Sequence, residues 1–186
     1  GDVETTKRVI DAQAGPVVAV GHSYGGAVIS GAAAGNANVK ALVYIAAFAP
    51  EPGEPIDKFL EKYPSDLGAA AVPDAAGFLY IDPVKFHDVF AGDISKSQTQ
   101  VMAVTQKPIA GAIFKQSVAA VAWKVIPSWY MVSQQDRALN PDLERFYAKR
   151  INARTTEIKS SHVPFLSPPA DSPCSARSAT SRRTVG

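Results

Sequence analysis

The segment that most limits what this chain can become runs from Pro16 to Gly35. Val17-Val18-Ala19-Val20 is a continuous apolar run of strand length, rich in β-branched residues, which is the pattern of a strand buried on both faces of a parallel sheet. Gly21-His22-Ser23-Tyr24-Gly25 follows without a break, and from Tyr24 to about Gly35 the residues are small and apolar, as suits a helix packed tightly on that sheet. A second buried run, Ala41 to Phe48, comes within a few residues. Strand, helix and strand at this spacing predict an α/β fold with a right-handed crossover, because a right-twisted strand feeding a right-handed helix packs back on the sheet only that way.

The rest of the chain divides around this unit. Asp2 is the expected N-cap of a helix through about Ala12, which Gly15-Pro16 ends. Residues 1–50 read as sheet core. Glu51-Pro52-Gly53-Glu54-Pro55 opens a stretch, residues 51–122, of short helical patterns and a Phe78-Leu79-Tyr80-Ile81 run, broken at Pro73, Pro83 and Pro108, and this reads as a mainly helical cap inserted into the sheet domain. The core resumes over 123–166, with a strand at about Ser128 to Val132, a helix from Asn140 (N-cap) and Pro141 to about Arg150, and a strand at Thr155 to Lys159. Residues 167–186 hold five Ser, three Pro and no Leu, Ile or Phe, so they offer no apolar helix face and are expected to form a disordered tail.

Composition narrows the function classes. The formal net charge is +2, and three Arg against one Asp in residues 167–186 account for it, leaving a neutral body without the basic stripe that nucleic acid or an anionic membrane surface requires. The single Cys174 excludes an intrachain disulfide, and no run approaches the roughly 18 apolar residues that span a bilayer, so a cytoplasmic location is the expectation. The expected partner is a small-molecule ester, with a homodimer allowed. The first residue is Gly1 and not Met, and a helix-to-strand unit follows at once, so segments upstream of it are expected to be missing.

G-x-S-x-G between a buried strand and a small-residue helix is the setting of a nucleophile elbow, with Ser23 as the nucleophile. A turn sharp enough to project the hydroxyl from the sheet edge brings backbone close to Gly21 and Gly25, which gives both glycines a steric reason. A serine hydroxyl needs a base, and the base needs an orienting carboxylate. Of three histidines, His22 lies inside the turn with its side chain expected to point away from the Ser23 hydroxyl and pack the elbow, and His87 lies in the inserted stretch. His162 directly follows the last strand, on the same edge as Ser23, and is the predicted base. Asp136 follows the third strand and is the predicted acid; Asp142 belongs to the first turn of a helix, where a carboxylate complements the dipole, and Glu157 lies within a strand. The order Ser23, Asp136, His162 is the one found in α/β-hydrolases.

The segments Val17 to Gly26, Ala41 to Phe48 and Ser161-His162-Val163-Pro164-Phe165 together resemble the α/β-hydrolase superfamily, and within it small bacterial hydrolases related to plant methyl esterases and hydroxynitrile lyases. The resemblance covers about Asp2 to Phe165. It implies a mostly parallel, eight-stranded sheet, a cap over the serine, and hydrolysis of a carboxylic ester through an acyl-enzyme with no cofactor and no metal. It also makes the backbone N–H of Tyr24 an oxyanion-hole donor. The first four strands of such a fold and the loop carrying the second donor would precede Gly1, and residues 167–186 stand where such enzymes carry a final amphipathic helix; a shifted reading frame is the expected cause at both ends. Phe59, Phe78, Tyr80, Phe86, Phe90 and Trp123 either line a substrate pocket or form the core of the cap itself. Two readings compete with the esterase. Hydroxynitrile lyases carry Lys directly after the catalytic His, where this chain has Val163; an inert fragment or ligand-binding scaffold would share the fold without turnover.

Overall fold

The computed structural model describes residues 1–167. Helix α1 (Asp2–Asp11) leads into strand β1 (Val17–His22), and α2 (Gly25–Ala32) carries the chain back to β2 (Val39–Ile45). The next stretch contains a 3-10 turn at Ile56–Phe59, α3 (Leu67–Ala70), β3 (Ala71–Pro73), β4 (Phe78–Ile81), α4 (Pro83–Phe90), α5 (Lys96–Thr105) and β5 (Ile109–Ala110). Two further 3-10 turns, Gly111–Lys115 and Ala122–Lys124, precede β6 (Ser128–Ser133), α6 (Pro141–Arg150) and β7 (Arg154–Ile158). The tail expected over residues 167–186, including Cys174, lies outside the described residues beyond Ser167. Among the described residues no helix is long and apolar enough to cross a membrane.

Strands β1, β2, β6 and β7 form one sheet in the order β1-β2-β6-β7, parallel throughout. The α/β fold read from the sequence is therefore the fold that forms. Its parallel register brings the C-terminal ends of β1, β6 and β7 to one edge, and the residues expected to do chemistry follow those three ends. Helix α6 starts as its sequence dictates: Asn140 Oδ1 accepts from Asp142 N at 2.9 Å, and Pro141 takes a first-turn position where its missing N–H costs nothing. Helix α1 starts differently from expectation. Gly1 is its N-cap and no side chain caps it; Asp2 sits in the first turn and accepts a hydrogen bond from the Tyr24 hydroxyl at 3.1 Å.

One core cluster ties α1, α2 and α6 to the sheet through Ala19, Leu42, Tyr44, Tyr130 and Val132. Tyr44 and Tyr130 stack with ring centroids 6.0 Å apart, and each buried phenol finds a polar partner, Ser30 Oγ at 2.8 Å for Tyr44 and the backbone of Ala47 for Tyr130. The expectation that β1 is buried on both faces is not met. Val18 and Val20 are each 57% exposed and Trp129 on β6 is 36% exposed, all on the face opposite this cluster. The apolar run reported how much grease the strand carries, and not how many layers cover it.

The inserted stretch is also less purely helical than its sequence pattern suggests. Strands β3, β4 and β5 form a three-stranded antiparallel sheet. The β3–β4 hairpin is closed by Asp74, whose Oδ1 accepts from Ala76 N and Phe78 N at 2.8 and 2.9 Å, and by Gly77 at φ 82°.

Candidate active site

Ser23 has φ 53°, a left-handed conformation that costs a non-glycine residue about 1 kcal/mol or more. The surroundings over-determine it. Ser23 N donates to Ile45 O at 3.2 Å, and its carbonyl accepts from Gly26 N and Phe48 N, both at 3.1 Å, so the turn is bolted to the end of β2. Gly21 has the steric reason expected of it: a Cβ there would lie 2.6 Å from Gly25 O. Gly25 does not, since a Cβ on it would meet nothing within 4 Å. The second position that excludes a side chain is Gly26, where a Cβ would overlap Phe48 O and lie 2.8 Å from Ala47 Cβ. Tyr24 is the N-cap of α2, so its N–H is one of those that helix geometry leaves without an intrahelical acceptor. The same helix terminus favours negative charge beside Ser23.

Asp136 and His162 are brought together. His162 Nδ1 lies 2.5 Å from Asp136 Oδ2, and both side chains are buried. The other oxygen, Oδ1, accepts from Ala138 N at 2.7 Å and Leu139 N at 2.8 Å, so the carboxylate is fixed by three donors. The loops themselves are cross-tied: Gln134 N donates to Ile158 O, Gln135 N to Ser160 O, and Ser160 Oγ to Ser133 Oγ. Because the Asp136 carboxylate can only accept, Nδ1 of His162 carries the proton between them, which leaves Nε2 as the free lone pair of the neutral ring. Among the described residues the Ser23 hydroxyl makes no hydrogen bond, so the serine and the Asp136–His162 pair share an edge without a bond between them.

His22 does more than pack the turn. Its Nε2 lies 2.7 Å from the His162 carbonyl, and its ring lies against the His162 ring with centroids 4.6 Å apart. A carbonyl only accepts, so His22 donates from Nε2. Burial pushes its pKa down to about 4, with repulsion from His162 adding to the effect, and the ring is neutral at ordinary pH. Phe90 from α4 packs edge-on against the His162 ring at 4.8 Å, and Phe165 against His22 at 5.0 Å. Val163 is buried with Ala91 and Ile94. Asp93 fastens the loop from the inserted stretch: its carboxylate accepts from Ser161 N at 3.2 Å, from Ser161 Oγ, and from Ser167 Oγ at 2.5 Å. Those hydrogen bonds outweigh partial burial and hold the Asp93 carboxyl below its usual range.

The remaining sequence candidates lie elsewhere. Asp142 pairs with Arg145 in the first turn of α6, Glu157 pairs with the same guanidinium, and His87 bonds Thr99 between α4 and α5. Of the six aromatics considered as pocket residues, Phe90 alone touches the His162 ring. Phe59 and Trp123 pack on the main core, Phe86 is buried against Phe90, and Phe78 and Tyr80 are exposed. His22 and Asp93 were missed as residues that hold the His162 loop. For His22 a signal existed, since a residue next to the nucleophile on a parallel strand end faces the neighbouring loops. Asp93 carried none, because 68 residues separate it from Ser161. Among the described residues no group of three or more His, Cys, Asp or Glu could hold a metal ion.

The chain is similar to known proteins in its fold and in one family pattern. The family model described as the alpha/beta hydrolase family matches residues 1–171. No curated protein sequence matches the chain. Among solved structures it is similar to polyneuridine aldehyde esterase, at 17% identity and a TM-score of 0.74 over 90% of this chain and 73% of that one. A pyrethroid hydrolase from Sphingobium faniae JZ-2 gives 22% identity and a TM-score of 0.70 over 90% of this chain and 72% of that one. The methylesterase protein MES16 from Arabidopsis gives 16% and 0.66 over 89% and 70%. At these identities the structural likeness speaks for the fold, and the family match, spanning both the elbow and the histidine loop, makes the chain a member of the alpha/beta hydrolase family.

Proposed function

We propose that the chain is a serine hydrolase that cleaves a small, mostly apolar carboxylic ester, with Ser23 as nucleophile, His162 as base and Asp136 as the group that orients it. The observation that carries this reading is the 2.5 Å contact between His162 Nδ1 and Asp136 Oδ2 on the strand edge from which the strained Ser23 turn projects. Ser23 Oγ attacks the ester carbonyl carbon while His162 Nε2 takes its proton, and Asp136 stabilises the imidazolium without being protonated. The oxyanion develops toward the Tyr24 N–H at the α2 terminus. Nε2 then returns the proton to the leaving alkoxide, and water repeats the sequence on the acyl-enzyme. The neutral His22 holds the His162 carbonyl and so keeps the base ring in register.

Residues 51–122 act as a cap in this reading, and Phe90 is the cap residue that reaches the base. The apolar cluster of Ala91, Ile94 and Val163 beside the base suits an apolar ester, and it offers no cation for cyanide where hydroxynitrile lyases use one. The solved structures similar to this chain include proteins described as esterases and hydrolases, in keeping with the same chemistry. A binding scaffold without turnover is the competing reading. A fluorophosphonate probe separates the two: an enzyme labels as wild type and not as Ser23→Ala, whereas a scaffold stays unlabelled while fully folded.

A further inference from the structure

Glu144 is completely buried on α6, behind the loop that carries Asp136. A carboxyl group is rarely found in such a place without a cation. Its Oε2 accepts from Ser133 N at 3.0 Å. Its Oε1, if the group were ionised, would have no hydrogen-bond partner at all. The neighbour within hydrogen-bonding reach is the Asp136 carboxyl, another acceptor. Two carboxylates cannot share that position, but an acid and a carboxylate can, because the acid's O–H then finds an acceptor and the pair carries one negative charge.

The assignment of the proton follows from the other bonds. Asp136 already receives Ala138 N–H, Leu139 N–H and His162 Nδ1–H, all of which favour its charged form. Glu144 receives a single backbone N–H. Arg145, the cation on the same helix, points to the surface and is engaged with Asp142 and Glu157. Tyr130, a further ionisable neighbour, is held neutral by burial. Burial, followed by the Asp136 charge, pushes the Glu144 carboxyl up to about 10, in agreement with the geometry.

We propose that Glu144 is a positioning residue for the base: a neutral carboxylic acid that donates its proton in a hydrogen bond to Asp136 from the core side. Asp136 is thereby gripped by four donors, and its charge is shared with Glu144 before it reaches His162. Removing the donor concentrates the charge on the His162 side and loosens the carboxylate, so His162 binds its proton more tightly and turnover falls. The effect on turnover rests on the serine-hydrolase reading; the proton on Glu144 does not.

Three measurements on the whole chain and its E144Q and E144M variants test this. At neutral pH the infrared spectrum of wild type should contain a protonated carboxylic acid carbonyl band that E144Q lacks. In the NMR titration of the His162 ring, E144M should move the midpoint upward by roughly half to one pH unit, while E144Q, whose amide can make the same donation, should recover the wild-type curve. The acid limb of kcat/KM for a nitrophenyl ester should follow the same pattern, with kcat down roughly tenfold in E144M and rescued in E144Q. Absence of the acid band, an unmoved His162 midpoint in a folded E144M, or E144Q behaving as E144M overturns the proposal. If E144M does not fold, the band and the E144Q titration decide it. A band and titrations as expected in a chain that never labels with fluorophosphonate would sink the hydrolase reading and leave the Glu144 assignment standing.

Discussion

The buried His22 ring makes the stability of the fold depend on pH. An unfolded histidine titrates near pH 6.5, whereas in the fold its pKa is lowered to about 4, so between these values the unfolded chain binds the extra proton. Stability is therefore greatest above pH 6.5 and falls as the pH drops toward 4, by up to about 3 kcal/mol from this group. Urea unfolding at pH 7 and pH 5 should show about 2 kcal/mol of that loss in wild type, and His22→Gln should remove most of the difference; an unchanged difference would assign the acid sensitivity to another group. At this scale the sequence was most informative where chemistry demanded a type and a place. Ser23, Asp136 and His162 could be singled out because each follows a strand end within four residues, and the fold brings two of them, Asp136 and His162, into contact. His22 was undervalued because side-chain direction across a strand end depends on the neighbouring loop, which a linear pattern does not contain.

Among the elements, the β1–α2 turn is the one whose sequence and geometry agree most closely, yet its glycines divide the work unexpectedly. Ala at Gly26 would drive its Cβ into the Phe48 carbonyl and the Ala47 side chain, which belong to the β2 edge and have little room to retreat. Gly26→Ala should cost on the order of 3 kcal/mol, and Gly25→Ala less than about 0.5 kcal/mol or nothing, in denaturant titrations. Equal costs would mean that the elbow's rigidity lies in backbone entropy and not in this close approach. The long elements were legible because apolar runs and caps mark them, as Asn140 and Pro141 do for α6. The β3–β4–β5 sheet was not. Its strands are two to four residues long, too short for a period to show, and β3 ends on Pro73, which normally argues against a strand.

Among the described residues the four-stranded sheet has helices packed on one face and exposed apolar side chains on the other. Val18, Val20 and Trp129 line that open face, and a contiguous apolar surface of this kind draws dyes and partners. An 8-anilinonaphthalene-1-sulfonate titration should show strong binding to the described fold, and the Val18→Thr, Val20→Thr double variant should weaken it while leaving the His162 ring signals in place. Unchanged dye binding would place the sticky surface elsewhere. The parallel α/β architecture was readable from the spacing of strand and helix patterns, whereas the number of layers covering the strands was not, since hydrophobicity records what a strand can bury and not what lies on it. The central proposal for this scaffold is that Ser23 is a nucleophile served by the Asp136–His162 pair. Fluorophosphonate labelling of the folded wild-type chain, set beside Ser23→Ala and His162→Gln, tests it most directly: labelling at Ser23 should disappear in the first variant and fall at least about a hundredfold in rate in the second, and a folded chain that takes up no label, or labels equally in all three forms, would contradict it.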